Sequence, residues 1–220
     1  MDRNRNRHAA FLLPLWLVTT LFTSASGCSA VATILYVAKG TNVGAEFKGL
    51  KDKRVAVVCR PVIELDYRNG TVAKELAVAV GQLLKEHVRK IELIDPREVD
   101  DWSDENDWYE FTEVGEALGA DIVVAIDLEQ FGLYESLTLY KGRAETLIQV
   151  FDMNADSQRI WKKHPPASEY PPNISLDRDV KDENEFRAEY IQVLATEIAR
   201  HFYAHDTRVD FAKDTVAYRE

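Results

Sequence analysis

Apolar and polar residues follow one another in this chain in two kinds of block. RVAVVC (Arg54–Cys59) and DIVVAIDLEQF (Asp121–Phe131) are short runs rich in β-branched residues, the signature of buried strands. KIELID (Lys90–Asp95) reads as a further strand, stopped at Pro96. Between them the spacing changes to that of a helix. Val72, Leu76, Val80, Leu83 and Leu84 recur three to four apart after an Asn69-Gly70 turn. Phe111, Val114 and Leu118 line one face of a shorter helix, with Gly119 placed to stop it. Leu137–Met153 predicts a long strand with a bulge at Gly142. MNADSQ is a polar turn and RIWKK (Arg159–Lys163) a returning strand, so residues 121–163 form a meander. A Pro-rich loop (164–173) leads to a last helix. There Asp182 and Glu185 have capping-box spacing, and Phe186, Tyr190, Leu194, Ile198 and Phe202 make one apolar stripe.

The predicted order is β-α-β-α-β-β-β-α. Three helical stripes need a sheet face to cover. The expectation is therefore an α/β (α+β) fold with a mixed sheet of about five strands and helices mainly on one face. Residues 51–205 form that domain, and 206–220 form a polar tail.

The first fifty residues follow a different pattern. MDRNRNRH is basic, and Ala9–Phe22 is an apolar run too short to span a bilayer as a helix. The small residues TSASG lead to Cys28. This is the layout of a signal peptide over 1–27. A Gly-containing stretch without periodicity, 28–50, then reads as a tether. ASGC (Ala25–Cys28) resembles a bacterial lipobox, in which the cysteine becomes the first mature residue and carries a diacylglycerol. Ala25 departs from the leucine usual at its position. On that resemblance Cys28 is the lipidation site, and the chain is lipid-anchored to a membrane of the bacterial cell envelope, facing the periplasm. Secretory cleavage leaving a free thiol, and an uncleaved anchor, are the alternatives.

Charge narrows the function classes. The formal net charge is −10, and Arg3, Arg5 and Arg7 against Asp2 make residues 1–27 positive. The remaining body is thus more acidic than the whole and without a basic, aromatic-laced stripe, which argues against nucleic-acid binding. Two cysteines, Cys28 and Cys59, exclude a disulfide framework, and Cys59 reads as a core thiol.

Candidate chemistry is sparse. There is no Gly-rich phosphate loop, nucleophile elbow or His-Glu-x-x-His. His201 and His205, four apart, would share a face of the last helix as a zinc pair does, but at a fraying end a solvated pair is the simpler account. Asp100–Asp107 bunches carboxylates as a calcium loop does, without an EF-hand's central glycine; a solvated acidic loop explains it more simply. Trp102 and Trp108 lie in that stretch and are the candidates for a partner-binding surface; folding back on the core is their alternative. Asp127 and Glu129 share a strand face like paired catalytic carboxylates, with solvent-side alternation as the simpler reading. No cofactor, metal or catalytic residue is expected.

One family resemblance adds to this. The lipobox, KRVAVVC, KIELID, VGEALGADIVVAIDLEQF and GRAETLIQVFDM closing on RIWKK resemble the periplasmic domain shared by three groups. These are curli-secretion-channel-like proteins, penicillin-binding-protein activator lipoproteins and the amino-terminal domain of the translocation protein TolB. The resemblance is carried by Leu118–Val123 and by Ile160-Trp161 and spans about residues 50–205. It implies a non-catalytic protein-binding or scaffold lipoprotein of envelope assembly or secretion. The membrane-spanning hairpins of the channel-forming branch have no counterpart here. The partner is unspecified, and a homo-oligomer stays open. An exported hydrolase or metal-dependent enzyme is the alternative.

Overall fold

The computed structural model describes residues 42–62 and 66–206. Cys28, the expected signal peptide, the tether up to residue 41 and the tail from 207 lie outside the described residues. The α/β domain belongs to the second unit of the chain, Val43–Glu220.

The centre of that second unit is a mixed sheet. β1 (Arg54–Pro61) runs parallel to β2 (Glu92–Leu93) on one side and to β3 (Ile122–Tyr134) on the other. β3 turns back into β4 (Leu139–Asp152), which pairs antiparallel with β5 (Gln158–Lys163). The strand order is β2-β1-β3-β4-β5, and two short strands, β6 (Ser168–Tyr170) and β7 (Leu176–Asp177), pair with the outer half of β4. The expected α/β architecture with a mixed sheet is what the chain forms.

Two long helices cover one face: α1 (Asp66–His87) and α4 (Glu183–Ala199). Val72, Leu76, Val80 and Leu84 from α1 meet Phe186, Tyr190, Leu194 and Ile198 from α4 over Val55, Val124, Ile126 and Ile148 of the sheet. The 3.6-residue repeat put these side chains on one stripe, and the sheet buries it. Two short helices, α2 (Pro96–Glu105) and α3 (Phe111–Leu118), cover part of the opposite face. Gly119 ends α3 in the left-handed conformation (φ 63°), where glycine avoids the steric cost other residues incur.

Several expectations need correction. The acidic stretch after Pro96 is a helix, α2, rather than a loop. Asp95 caps it by accepting from the Arg97 amide at 2.9 Å, Pro96 suits its first turn, and Val99 and Trp102 face inward three residues apart. Helix α1 starts at Asp66, so Asn69-Gly70 lies inside it. KIELID contributes only Glu92–Leu93 as strand, because Lys90 takes a left-handed turn (φ 58°) and Asp95 already caps α2. Asp182 does cap α4, through the Asn184 amide, but Glu185 turns to Lys181 (3.8 Å) instead of closing a capping box.

The hairpin β3–β4 carries two bulges. Glu129 is an extra residue on β3 between the pairs Leu128–Thr146 and Gln130–Glu145. The second lies where sequence placed it: Lys141 and Gly142 oppose Leu133 alone. A Cβ at Gly142 would lie 2.5 Å from the Tyr190 ring, so the close approach of α4 to β4 requires glycine there.

Candidate functional site

Two places collect polar or exposed groups that the core does not explain. The first is the sheet face beyond the cover of α2 and α3. Register sets Arg60 of β1 beside Asp127 of β3. Arg60 Nε donates to Asp127 Oδ1 (2.8 Å) and Gln149 Nε2 donates to Oδ2 (3.0 Å). Arg159 Nη1 in turn donates to Gln149 Oε1 (2.9 Å). The Arg60 guanidinium lies over the Phe111 ring (4.2 Å) and beside Trp108 (5.8 Å).

Asp127 is 5 % exposed, which overturns its reading as a solvent-side residue. The bulge at Glu129 breaks the strict alternation between the two carboxylates, and Glu129 meets His164 Nε2 (2.8 Å) instead. Both oxygens of Asp127 are engaged by Arg60 and Gln149. The group therefore stitches three strands together and presents no free carboxylate oxygen to a substrate.

The neighbouring Cys59 is the core thiol expected: burial, and then the Asp127 charge, push its pKa far up, so it is neither thiolate nor nucleophile.

Trp102 and Trp108 are half-buried and packed against the second core cluster, Trp108 with its ring 5.7 Å from Phe111. Neither is the exposed aromatic of its segment. That is Tyr109, 78 % exposed.

His201 and His205 do not share a helix face. Helix α4 ends at Ala199, a 3₁₀ turn spans Arg200–Phe202, and His205 follows in extended chain. His201 Nδ1 meets Glu46 Oε1 (3.0 Å), and His205 Nδ1 meets the Tyr203 carbonyl (3.4 Å). Among the described residues no group of three His, Cys, Asp or Glu is placed to hold a metal. No described helix is long and apolar enough to cross a membrane.

The second place is the tip of the β3–β4 hairpin, which the sequence reading missed. Leu137 is 90 % exposed at the turn, and Val180 is 70 % exposed on the segment leading to α4. That segment is pinned to the tip: Arg178 N donates to Thr138 O (3.0 Å) and Arg178 Nη1 to Leu137 O (2.9 Å). The Arg178 guanidinium stacks on Tyr134 (4.9 Å) and Tyr140 (5.5 Å). An open pocket of about 440 Å³ lies among Leu137, Tyr140, Arg178, Lys181 and Glu183. Desolvation, then a hydrogen bond with Glu183, pushes the Tyr134 phenol up to about 12, so it stays neutral. Lys181 is held charged above the usual lysine range by Glu189 (2.6 Å). Aromatic, arginine and exposed aliphatic groups around a shallow pocket are the chemistry of an interface anchor. The signal available in the sequence was a leucine and a valine standing in polar runs, ESLT and DRDVKDE, where a turn does not need them.

No protein-family model matches the chain, and no curated protein matches it. Among solved structures it is similar to the PelC dodecamer from Paraburkholderia phytofirmans, with 10 % identity, a TM-score of 0.41 and coverage of 74 % of this chain and 96 % of that one. It is similar to lipoprotein GNA1162 from Neisseria meningitidis, with 10 % identity, a TM-score of 0.41 and coverage of 66 % and 97 %. A minor lipoprotein from Acinetobacter baumannii is similar at 12 % identity, a TM-score of 0.36 and coverage of 70 % and 92 %.

Proposed function

We propose that the protein is a lipid-anchored, non-catalytic binding module of the bacterial cell envelope. In this reading Cys28 holds it to a membrane, and the hairpin tip engages a protein partner in envelope assembly or secretion. The observation that carries the reading is a separation within the second unit. Glu46 and Phe47, at the start of the unit, lie against the end of α4, where both amides donate to His201 O (2.9 and 3.0 Å). Glu46 pairs with Lys163 of β5, which register places level with Ile126 of β3. Leu137, Val180 and Tyr134 instead sit at the far end of β3, eight residues or roughly 26 Å further along the strand. A tether at one end and exposed anchors at the other suit a module that reaches away from a surface.

Other features support a binding role over a catalytic one. Asp127 has both oxygens engaged, Cys59 is a protonated thiol, and His201 and His205 point to different partners. The resemblance to curli-channel-like, penicillin-binding-protein-activator and TolB amino-terminal domains supports it as well. Its segment Gly119-Ala120-Asp121 ends α3, buries Ala120 and ties Asp121 to β1, which is structural work.

The test has two arms. Mass spectrometry of the mature chain purified from membranes should show an acylated residue 28 at its amino terminus, and Cys28→Ala should carry no lipid. An unacylated wild-type chain would remove the anchor from the proposal. In the second arm, Leu137→Asp with Val180→Asp should abolish cross-linking to the envelope partner while leaving thermal stability unchanged. Undiminished cross-linking would move the partner surface elsewhere, with the Trp102–Trp108 segment and its exposed Tyr109 the next to test.

A further inference from the structure

The body of this protein is acidic, yet its cations are not spread evenly. Lys48, Lys51 and Lys53 lie on the segment that opens the second unit, and Lys85, Arg89 and Lys90 lie at the end of α1 and the turn after it. The fold brings these two segments together. Glu92 N donates to Lys53 O (2.9 Å), and Lys51 and Lys90 both reach Asp52 from opposite sides (3.7 Å each). The His87 ring stacks on Tyr203 (4.3 Å), and Phe47 packs against Phe202, which fixes the end of α1 and the opening segment against the end of α4. Lys48, Lys51, Lys85, Arg89 and Lys90 are all exposed. Asp52, Glu86 and Glu92 are the carboxylates among them, so the patch stays net positive on a chain of formal charge −10.

The remaining acidic groups of the same end lie toward β3–β5. Asp152, with Asp156 in the following turn, is on that side. Asp121 marks the boundary, accepting from the Arg54 amide (2.9 Å) on one side and from Asn154 Nδ2 (3.0 Å) on the other. The end at which the unit begins is therefore divided into a basic half under α1 and an acidic half under β3–β5.

We propose that the basic half is a docking surface for anionic phospholipid headgroups, which orients the domain with α1's end toward the bilayer and the hairpin tip away from it. This rests on the anchored reading above. A tethered domain samples a lipid surface at close range, where each lysine or arginine near anionic lipid contributes attraction that fades within a Debye length. An acidic body would otherwise be repelled from that surface, and the division of charge gives it one face that is not.

The experiment attaches the mature chain to vesicles of phosphatidylcholine alone or with phosphatidylglycerol and follows amide hydrogen exchange. The chain is held to both vesicle types by an amino-terminal histidine tag on a nickel-chelating lipid, so failure of Cys28 acylation leaves this measurement intact. In phosphatidylglycerol vesicles, exchange of residues 48–53 and 86–91 should slow about tenfold relative to phosphatidylcholine, and high salt should reverse it. Lys48→Glu with Lys85→Gln, positions without an ion pair among those described, should remove most of the slowing and shift the melting temperature little. A second pair, Arg89→Gln with Lys48→Gln, should remove most of it. Equal exchange in the two vesicle types would overturn the proposal. So would slowing that survives the substitutions, or slowing on the β3–β5 half instead.

Discussion

The two faces of the sheet are built from the same strands and hold the fold in different ways. The face under α1 and α4 is lined by Val55, Val57, Ile122, Val124, Ile126, Leu128, Ile148 and Val150, and its helices add stacked rings. Tyr190 lies against Phe131 (5.5 Å) and Tyr170 (6.2 Å), and Phe186 against Tyr140 (4.8 Å). The opposite face offers Ala56, Val58, Val123 and Ala125, small residues that let two short helices come close. Gly115 of α3 sits so near Val123 and Met153 that a Cβ would clash with both. Where those helices stop, the same face turns polar at Asp127 and Gln149. Large side chains give one face its cohesion by burial. The other relies on close approach and then on directed hydrogen bonds.

The sharpest way to break this comparison is Tyr190→Ala. The ring is fully buried, stacks on two strand aromatics, Phe131 and Tyr170, and its hydroxyl donates to Ser168 O (3.3 Å). Its removal opens a cavity and should cost about 3–5 kcal/mol in urea denaturation. A loss below that range would mean the long-helix face does not dominate stability.

Asp127→Ala tests the other face. It leaves the Arg60 guanidinium and the Gln149 amide without their carboxylate, and should cost about 2–4 kcal/mol, reduced by the partial exposure of Arg60. Asp127→Asn keeps one acceptor and should cost less. Urea midpoints for both variants, set beside Tyr190→Ala, give the order. If Asp127→Ala exceeds Tyr190→Ala, the polar stitching and not the aromatic cluster is the main support.

The two faces were not equally legible in the sequence. The stripe Phe186–Phe202 and its partner on α1 announce themselves because a local 3.6-residue repeat survives into the fold. Gly119 and Gly142 were legible for a similar reason: each serves a local backbone need. Helix α2 was hidden because only Val99 and Trp102 face inward while its other positions are mostly acidic, and the composition outweighed the period. Asp127 was misread because alternation along β3 is local, whereas its partners Arg60 and Gln149 are 67 and 22 residues away and meet it only through register. The hairpin tip was missed for the same cause. Nothing local says that Arg178 and Lys181 will lie by Leu137, since that depends on β7 pairing with β4.

Asp121 offers the smallest effect and separates both faces from the seam that joins their strands. Its Oδ2 accepts from the Arg54 amide (2.9 Å) at the start of β1, and its Oδ1 accepts from Asn154 (3.0 Å) in the turn after β4. The Arg54 amide first, then Asn154, hold its carboxyl below the usual 3.8. A carboxyl with a lowered folded pKa stabilises the fold fully above its unfolded value and loses that contribution as pH falls through the folded one. Asp121→Asn should therefore destabilise slightly near neutral pH, by at most about 0.5 kcal/mol because solvent screens so open a carboxylate, and the two curves should converge as pH falls below the folded pKa. Urea midpoints across the acid range read this directly. A constant offset between the curves at all pH values would mean that Asp121 acts through shape alone. Convergence would show that the charged seam contributes separately from the packing on either face.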